Sequence, residues 1–173
     1  MRYLTIVRHA KAVPATVGGR DADRALSSRG HEQCATLRAW ASDPLALGAY
    51  GPTTALVSAA LRTRETFERA FLGTSFVASY ELSELIYNGL REVTPEDVLI
   101  DLAALDPVTT SLLVVAHNPT VLELVLALAT HAPKTLRHGR YPLAGAYVLA
   151  LPDDRPIGTG RYDVVDRFVP TDE

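Results

Sequence analysis

Cysteine is almost absent from this chain of 173 residues, which contains a single one, Cys34. One cysteine cannot form an intrachain disulfide, and the lack of a disulfide framework is typical of proteins of the reducing cytoplasm. Cys34 shares a helical spacing with Leu37 and Ala41, so we interpret it as a small core residue rather than a reactive thiol. The sequence therefore favours a cytoplasmic location.

A surplus of positive charge is absent as well. Lys and Arg number 17 against 20 Asp and Glu, which gives a formal net charge of -3. No basic stripe is present that could neutralise many phosphates, so we expect no nucleic-acid partner. Recognition of an anion would have to come from a local pocket.

No apolar run is long and unbroken enough to predict a membrane span. The longest apolar region, residues 112–129, is interrupted by His117, Asn118, Pro119 and Glu123. The chain begins directly with a strand pattern, which leaves no room for a signal peptide, and we expect no membrane partner. With 47% hydrophobic residues and no repeat or long linker, the sequence predicts one domain over residues 1–173.

Strand and helix patterns alternate along the whole chain, which is typical of an α/β layered sheet. Thr94-Pro95 and Asn118-Pro119 both predict helix starts in which a capping side chain precedes a proline. Predicted strands cover residues 2–7, 55–57, 76–78, 112–116, 145–151 and 162–169, the last two as a hairpin across 152–160. Predicted helices cover residues 30–43, 61–71, 94 to Asp106-Pro107, and 118–129.

Two of the apolar strands end in a histidine. The strand at 2–7 is followed by Arg8-His9, and the strand at 112–116 is followed by His117-Asn118. Ligands of open parallel sheets bind in the crevice beyond the carboxyl ends of the strands. Two histidines and an arginine delivered there predict a site for a compact anion, most plausibly a phosphoryl group.

Two further segments follow strands and carry charged residues. Arg62 lies in the first turn of the helix after the second strand, and Glu81 and Glu84 follow the predicted third strand. No glycine-rich phosphate loop of the nucleotide-binding kind is present. The remaining histidines, which are His31, His131 and His138, lack metal-ligand spacing, and we interpret them as surface or loop residues. Residues 158–161 are interpreted as a turn.

Taken together, four segments resemble the histidine phosphatase superfamily and, among its branches, the small bacterial phosphohistidine phosphatases (SixA-like). They are Arg8-His9, residues 58–66 with Arg62, His117-Asn118-Pro119, and the loop from Asp23-Arg24 to Gly30. The resemblance covers residues 1–129, and its segments occur in the family's order. It implies a three-layer α/β/α sandwich with a mostly parallel central sheet, of the phosphoglycerate mutase-like fold.

The resemblance also implies a mechanism. His9 attacks phosphorus and becomes phosphorylated, Arg8, Arg62 and His117 bind the phosphoryl oxygens, and water then releases phosphate. It implies no metal and no cofactor. Lys11 and Asn118 are further candidates for substrate binding, although an exposed lysine at position 11 without a role is equally consistent with the sequence.

The general acid is an open point. Leu82-Ser83-Glu84 resembles the context of the family's acidic residue, which makes Glu84 the candidate and Glu81 the reserve, although the acid is often absent from the small branch. Imidazole, whose conjugate acid has a pKa of about 6.5, leaves far more easily than an alkoxide. A phosphohistidine substrate therefore needs little help from an acid, whereas a sugar phosphate needs much.

The expected function is a metal-independent phosphatase that acts on phosphohistidine of another protein. A small-molecule phosphomonoesterase is the main alternative, so the expected partner is either a phosphohistidine-bearing protein or a small phosphate ester. A phosphoglycerate mutase and a phosphate-binding regulatory module without turnover are weaker alternatives. Substrate specificity is expected in the loops at residues 14–20 and 136–142.

Overall fold

The computed structural model describes residues 1–89, 91–105, 110–136, 138–154, 156–158 and 160–171. In these residues, strands and helices alternate as the sequence predicts, up to a final pair of strands. The strands are β1 (Arg2–Arg8), β2 (Thr53–Ser58), β3 (Val77–Ser83), β4 (Ser111–Ala116), β5 (Ala146–Leu151) and β6 (Val164–Phe168). The helices are α1 (Ser28–Ser42), α2 (Leu61–Ala70), α3 (Pro95–Leu105) and α4 (Thr120–Leu128).

One six-stranded sheet runs through the molecule in the order β3-β2-β4-β1-β5-β6. The neighbours among β1 to β4 pair in parallel, whereas β5 is antiparallel to both β1 and β6. Strands β1 and β4 lie in the middle of the sheet, and β4 is buried along its whole length. Their continuous apolar sequence is the pattern expected of parallel strands covered on both faces.

Each face of the sheet has its own hydrophobic core. On one face, the core contains Leu37 of α1 and Phe67 of α2, and on the other it contains Val98 of α3 and Leu124 of α4. The two cores make the molecule a three-layer α/β/α sandwich, which confirms the predicted fold class. Cys34 is buried in the α1 side of the core, as expected.

The starts of α1 and α3 are capped by side chains, whereas those of α2 and α4 are not. Thr94 and Asp97 form reciprocal hydrogen bonds at the start of α3, because the Thr94 hydroxyl accepts from the Asp97 amide and the Asp97 carboxylate accepts from the Thr94 amide. The predicted start of α4 was wrong in detail. This helix begins at Thr120, and no side chain caps it.

Strand β3 is longer than predicted, because it runs to Ser83 instead of ending near residue 78. It is an edge strand paired only with β2, and residues 78–82 are exposed, so its sequence lacks the apolar run that marks a buried strand. Glu81 therefore lies within the strand and not after it.

Strands β5 and β6 confirm the predicted late strands. Several sequence predictions fall partly outside the described residues: the end of α3 at Asp106-Pro107, Arg137 in the loop at 136–142, and Arg155 and Thr159 in the connection between β5 and β6. No helix in the described part of the chain is long and apolar enough to cross a membrane.

Candidate active site

Two histidines meet at the carboxyl ends of the central strands. Arg8, the last residue of β1, pairs with Ala116, the last residue of β4, so that His9 and His117 leave the sheet side by side. The amide of His9 donates to the carbonyl of Ala116 at 3.1 Å, and the two imidazole ring centroids are 5.1 Å apart. Register in the sheet thus brings together two residues that are 108 positions apart in sequence.

These rings line a cavity of about 340 Å³ at the carboxyl ends of the central strands. Six residues predicted from the sequence are in its lining: Arg8, His9, Lys11, Arg62, His117 and Asn118. The other lining residues are Ala12, Asp21, Arg24, Asn88 and Leu143. Four cationic side chains and a single carboxylate, that of Asp21, therefore surround the cavity among the residues described.

The imidazole of His9 is fixed in one tautomer. Its Nδ1 lies 2.7 Å from the carbonyl oxygen of Ala10, which can only accept a hydrogen bond, so Nδ1 carries the hydrogen and Nε2 is unprotonated. Burial lowers the pKa of His9 to about 3, the Ala10 hydrogen bond opposes this, and the charges of Arg62, Arg8 and Arg24 lower it further. Neutral imidazole is the nucleophilic form.

His117 is held through its Nε2, whereas His9 is held through its Nδ1. Its Nε2 lies 2.8 Å from the hydroxyl of Ser58, the last residue of β2, and its buried Nδ1 has no hydrogen-bond partner among the described atoms. Burial lowers the pKa of His117 to about 2, with smaller contributions from His9 and Arg62. A neutral ring with an unpartnered buried nitrogen is expected where a ligand completes the hydrogen bonding.

Arg62 reaches the cavity from the first turn of α2. It is 5% exposed, and its two terminal nitrogens donate to Asp21, one to the backbone carbonyl at 2.8 Å and the other to the carboxylate at 3.0 Å. Its buried Nε has no partner among the described residues. The guanidinium is therefore oriented by one neighbour while retaining a donor for an anion.

Arg8 is held by the segment that precedes β5. One of its terminal nitrogens donates to the carbonyl of Tyr141 at 2.6 Å, and the buried Tyr141 hydroxyl donates to the carbonyl of Ile6 at 2.6 Å. Tyr141 lies in the segment 136–142 that was predicted to set specificity. The structure instead places this residue as a support for the strand end that carries Arg8.

Lys11 and Asn118 lie at the cavity with different exposure. The Lys11 side chain is exposed, whereas its backbone amide donates to the side-chain oxygen of Gln33 at 2.9 Å. Asn118 is partly buried, and its side-chain oxygen has no partner among the residues described. Asn88 supports this corner because its side-chain nitrogen donates to Thr120 at 2.9 Å. Substrate binding by Lys11 and Asn118 stays a prediction.

Asp21 is the main residue that the sequence analysis missed. Its carboxylate accepts hydrogen bonds from the Tyr87 hydroxyl at 2.9 Å, from Arg62 at 3.0 Å and from Arg24 at 2.9 Å. Burial alone would raise the pKa of Asp21, but the Tyr87 hydrogen bond and the Arg62 charge outweigh burial and lower it. The carboxylate is ionised and held at three points.

A local signal for Asp21 was present in the sequence. The superfamily pattern that this loop resembles is Asp-x-x-Arg-x-Leu, and Asp23 is the acid at which the resemblance above begins. In the structure the matching acid is Asp21, three residues before Arg24, to which it forms an ion pair. Asp23 instead lies next to Arg20, at 3.8 Å, outside the cavity.

Glu84 does not line the cavity, and the prediction that it shares the site with the two histidines was wrong. It is exposed and borders a neighbouring depression together with Arg64 and Leu82, while Glu81 is exposed on β3. Ser83 pairs with Ser58, so Glu84 follows β3 at the same end of the sheet, but β3 is the edge strand and lies two strands from β4, which carries His117. The geometry offers neither as a proton donor at the phosphoryl position.

The prediction that Cys34 is a buried core residue was confirmed. Burial raises the pKa of Cys34 to about 12, so its thiol is protonated at neutral pH. His131 and His138 are exposed, as predicted, whereas His31 lies within α1 and is partly buried. None of the three lines the cavity. Within the described residues, no group of three or more His, Cys, Asp or Glu side chains is placed to hold a metal ion.

Comparisons with protein-family models and with curated proteins gave no match. Solved structures do match. A chain from Agrobacterium tumefaciens, assigned as the phosphohistidine phosphatase SixA, is 26% identical with a TM-score of 0.76 over 98% of this chain and 99% of that chain. A SixA assigned in Nakamurella multipartitia is 22% identical with a TM-score of 0.75, over 98% of this chain and 96% of that one.

A third structure is of the protein histidine phosphatase SixA in complex with tungstate. It is 20% identical, with a TM-score of 0.74, and the match covers 96% of each chain. The sheet order, the paired strand-end histidines and these similarities define the class of the protein as a phosphatase of the histidine phosphatase superfamily, with the phosphoglycerate mutase-like fold. Within that superfamily the chain is similar to the SixA phosphohistidine phosphatases.

Proposed function

We propose that this phosphatase removes the phosphoryl group from phosphohistidine on another protein, and that the phosphoryl group passes through His9. One observation carries the proposal: two neutral histidines and a buried arginine share one cavity. In it, Nδ1 of His117 and Nε of Arg62 are buried without partners among the described atoms. A phosphoryl group would satisfy both nitrogens.

The first step is attack by Nε2 of His9 on phosphorus. The Nδ1 hydrogen bond to Ala10 keeps the Nε2 lone pair available, and the lowered pKa keeps the ring neutral at physiological pH. The bond from Nε2 to phosphorus forms as the bond to the leaving group breaks. Water then attacks the phosphorylated His9, which releases phosphate and restores the free imidazole.

Charge on the phosphoryl oxygens is stabilised by Arg8, Arg62 and His117. A neutral histidine can donate to an oxygen only from the nitrogen that carries its hydrogen. The Ser58 hydroxyl lies 2.8 Å from Nε2 of His117, and we infer that it donates to this nitrogen, which leaves the hydrogen of the ring on Nδ1. Ser58 thereby makes His117 a donor towards the substrate.

The nature of the leaving group follows from what the cavity contains. Its only described carboxylate, that of Asp21, has a lowered pKa and is ionised, so it does not donate a proton at neutral pH. Without a carboxylic acid, loss of an alkoxide is slow, whereas imidazole departs readily because its conjugate acid has a pKa of about 6.5. This supports phosphohistidine over an alkyl phosphate, in a protein partner that the enzyme would meet in the cytoplasm.

The test compares phosphate release from a phosphohistidine-bearing protein domain and from a simple aryl phosphate, both with a chelator present. The proposal predicts fast release from the protein substrate, little from the aryl ester, and loss of both in His9→Ala. The reverse preference would favour a small-molecule phosphomonoesterase. Release that needs an added metal would contradict a mechanism carried by these side chains.

A further inference from the structure

The carboxylate of Asp21 has no role in the steps above, although it borders the cavity in which they take place. We propose that Asp21 contacts the substrate, and that its carboxylate accepts a hydrogen bond from the leaving imidazole, at the ring nitrogen that does not carry phosphorus. This inference rests on the proposed function, because only a phosphohistidine substrate has such a nitrogen.

The position of Asp21 suits this contact. Its side chain is 49% exposed, whereas that of Arg62, to which it is bonded, is 6% exposed. Arg62 therefore lies deep in the cavity and Asp21 lies at the rim. If the phosphoryl group binds at depth on Arg62, the leaving group lies further out, at the level of the carboxylate.

The carboxylate also has an acceptor position available. Its Oδ2 accepts from both Tyr87 and Arg62, whereas its Oδ1 accepts only from Arg24 among the described residues. A carboxylate oxygen has two lone pairs, so Oδ1 can take one more donor. The three existing hydrogen bonds hold the group still, and therefore little ordering is needed when a substrate arrives.

The contact would assist the bond cleavage directly. A negative charge next to the free ring nitrogen favours the protonated form of the phosphoimidazole. When Nε2 of His9 bonds to phosphorus, the phosphorus–nitrogen bond breaks and its electron pair stays on the leaving nitrogen. The ring already carries a proton on its other nitrogen, so it departs as neutral imidazole and no acid has to deliver a proton.

The same carboxylate would act differently on esters. An aryl or alkyl phosphate leaves as an oxyanion, which gains nothing from a carboxylate at the rim and is repelled by it. Asp21 would thus contribute to specificity as well as to rate. A role confined to orienting Arg62 would instead affect every substrate alike, since all of them present the same phosphoryl group.

The experiment measures kcat/KM of Asp21→Asn on a phosphohistidine-bearing domain and on an aryl phosphate. Because Asp21 also orients Arg62, both values should fall in this variant. Loss of a partly exposed, charge-assisted hydrogen bond to the leaving group should lower the value for phosphohistidine by about tenfold more than that for the aryl ester. Asp23→Asn is the matched control, because it removes one carboxylate from the same turn outside the cavity. Its two values should stay at those of the wild type.

Tyr87→Phe distinguishes the effect of the Asp21 charge from the effect of the hydrogen bond that holds this carboxylate in place. It removes one hydrogen bond to Asp21 but keeps the carboxylate, so the preference for phosphohistidine should persist even if the rate falls. Equal losses on both substrates in Asp21→Asn would overturn the inference and leave Asp21 as a support for Arg62. A wild-type enzyme inactive on phosphohistidine would instead contradict the proposed function itself.

Discussion

Replacement of Ser58 by alanine tests how the site prepares His117. Ser58 is fully buried, and its hydroxyl lies 2.8 Å from Nε2 of His117. In the proposed mechanism this hydroxyl keeps the hydrogen of the ring on Nδ1, where a phosphoryl oxygen would accept it, and alanine removes that control. Loss of a buried hydrogen bond to a polar group is worth about 1–3 kcal/mol.

That free energy converts to a fall in kcat/KM of about 5- to 150-fold, since each ~1.4 kcal/mol is a factor of ten. The assay is steady-state phosphate release, with nitrogen-15 NMR of the His117 ring to identify the tautomer. Ser83→Ala is a matched control, because Ser83 ends the neighbouring strand and its hydroxyl donates to Asp101, away from the cavity. Its activity should equal that of the wild type.

A Ser58→Ala enzyme with kcat/KM within twofold of the wild type would show that Ser58 does not prepare His117 for catalysis. An NMR spectrum of the free wild-type enzyme that placed the His117 hydrogen on Nε2 would contradict the proposed donation by Ser58. Thermal unfolding of both serine variants shows whether any loss of activity reflects loss of structure. A variant that is folded, slow and altered in its tautomer is the expected outcome.

Three further predictions concern titration, Glu84 and Cys34. Nitrogen-15 NMR should find the His9 ring still neutral at about pH 5, because burial lowers its pKa to about 3, and a midpoint near the ordinary value of about 6.5 would contradict the described burial. Since the unfolded chain takes up protons that folded His9 does not, the unfolding temperature should fall as the pH drops below about 6.5, and a flat profile would count against this. Glu84→Gln should retain the wild-type kcat/KM on both a phosphohistidine domain and an aryl phosphate, because the side chain lies outside the cavity; a large loss would restore Glu84 as a candidate acid. Cys34→Ala should leave activity intact while lowering stability by about 1 kcal/mol through lost packing, as measured by chemical denaturation, and an inactive folded variant would show that the thiol was misjudged.

The residues that the sequence predicted well are those that directly follow buried strands. His9 and His117 come after continuous apolar runs, and parallel pairing of β1 with β4 forces their positions to coincide. Arg62 could be placed because its helix begins soon after β2. For these residues, local pattern and sheet geometry are sufficient.

The residues that were missed or misplaced depend on contacts that no local pattern encodes. Asp21 lies in a short turn without periodicity, and its role arises from Arg62 and Tyr87, which are distant in sequence. Glu84 does follow the end of β3, but β3 lies at the edge of the sheet, two strands from β4, and no local pattern encodes that strand order. Ser58 was part of a recognised segment, but its bond to His117 needs the tertiary structure.

The central claim is that the phosphoryl group passes through His9. Rapid acid-free quenching of a single turnover, followed by mass spectrometry of the enzyme, tests it most directly. We expect a transient phosphoryl group on His9 that forms as fast as the substrate is consumed and decays as phosphate appears. Phosphate released with no phosphorylated enzyme at any time, or a phosphoryl group on another residue, would contradict it.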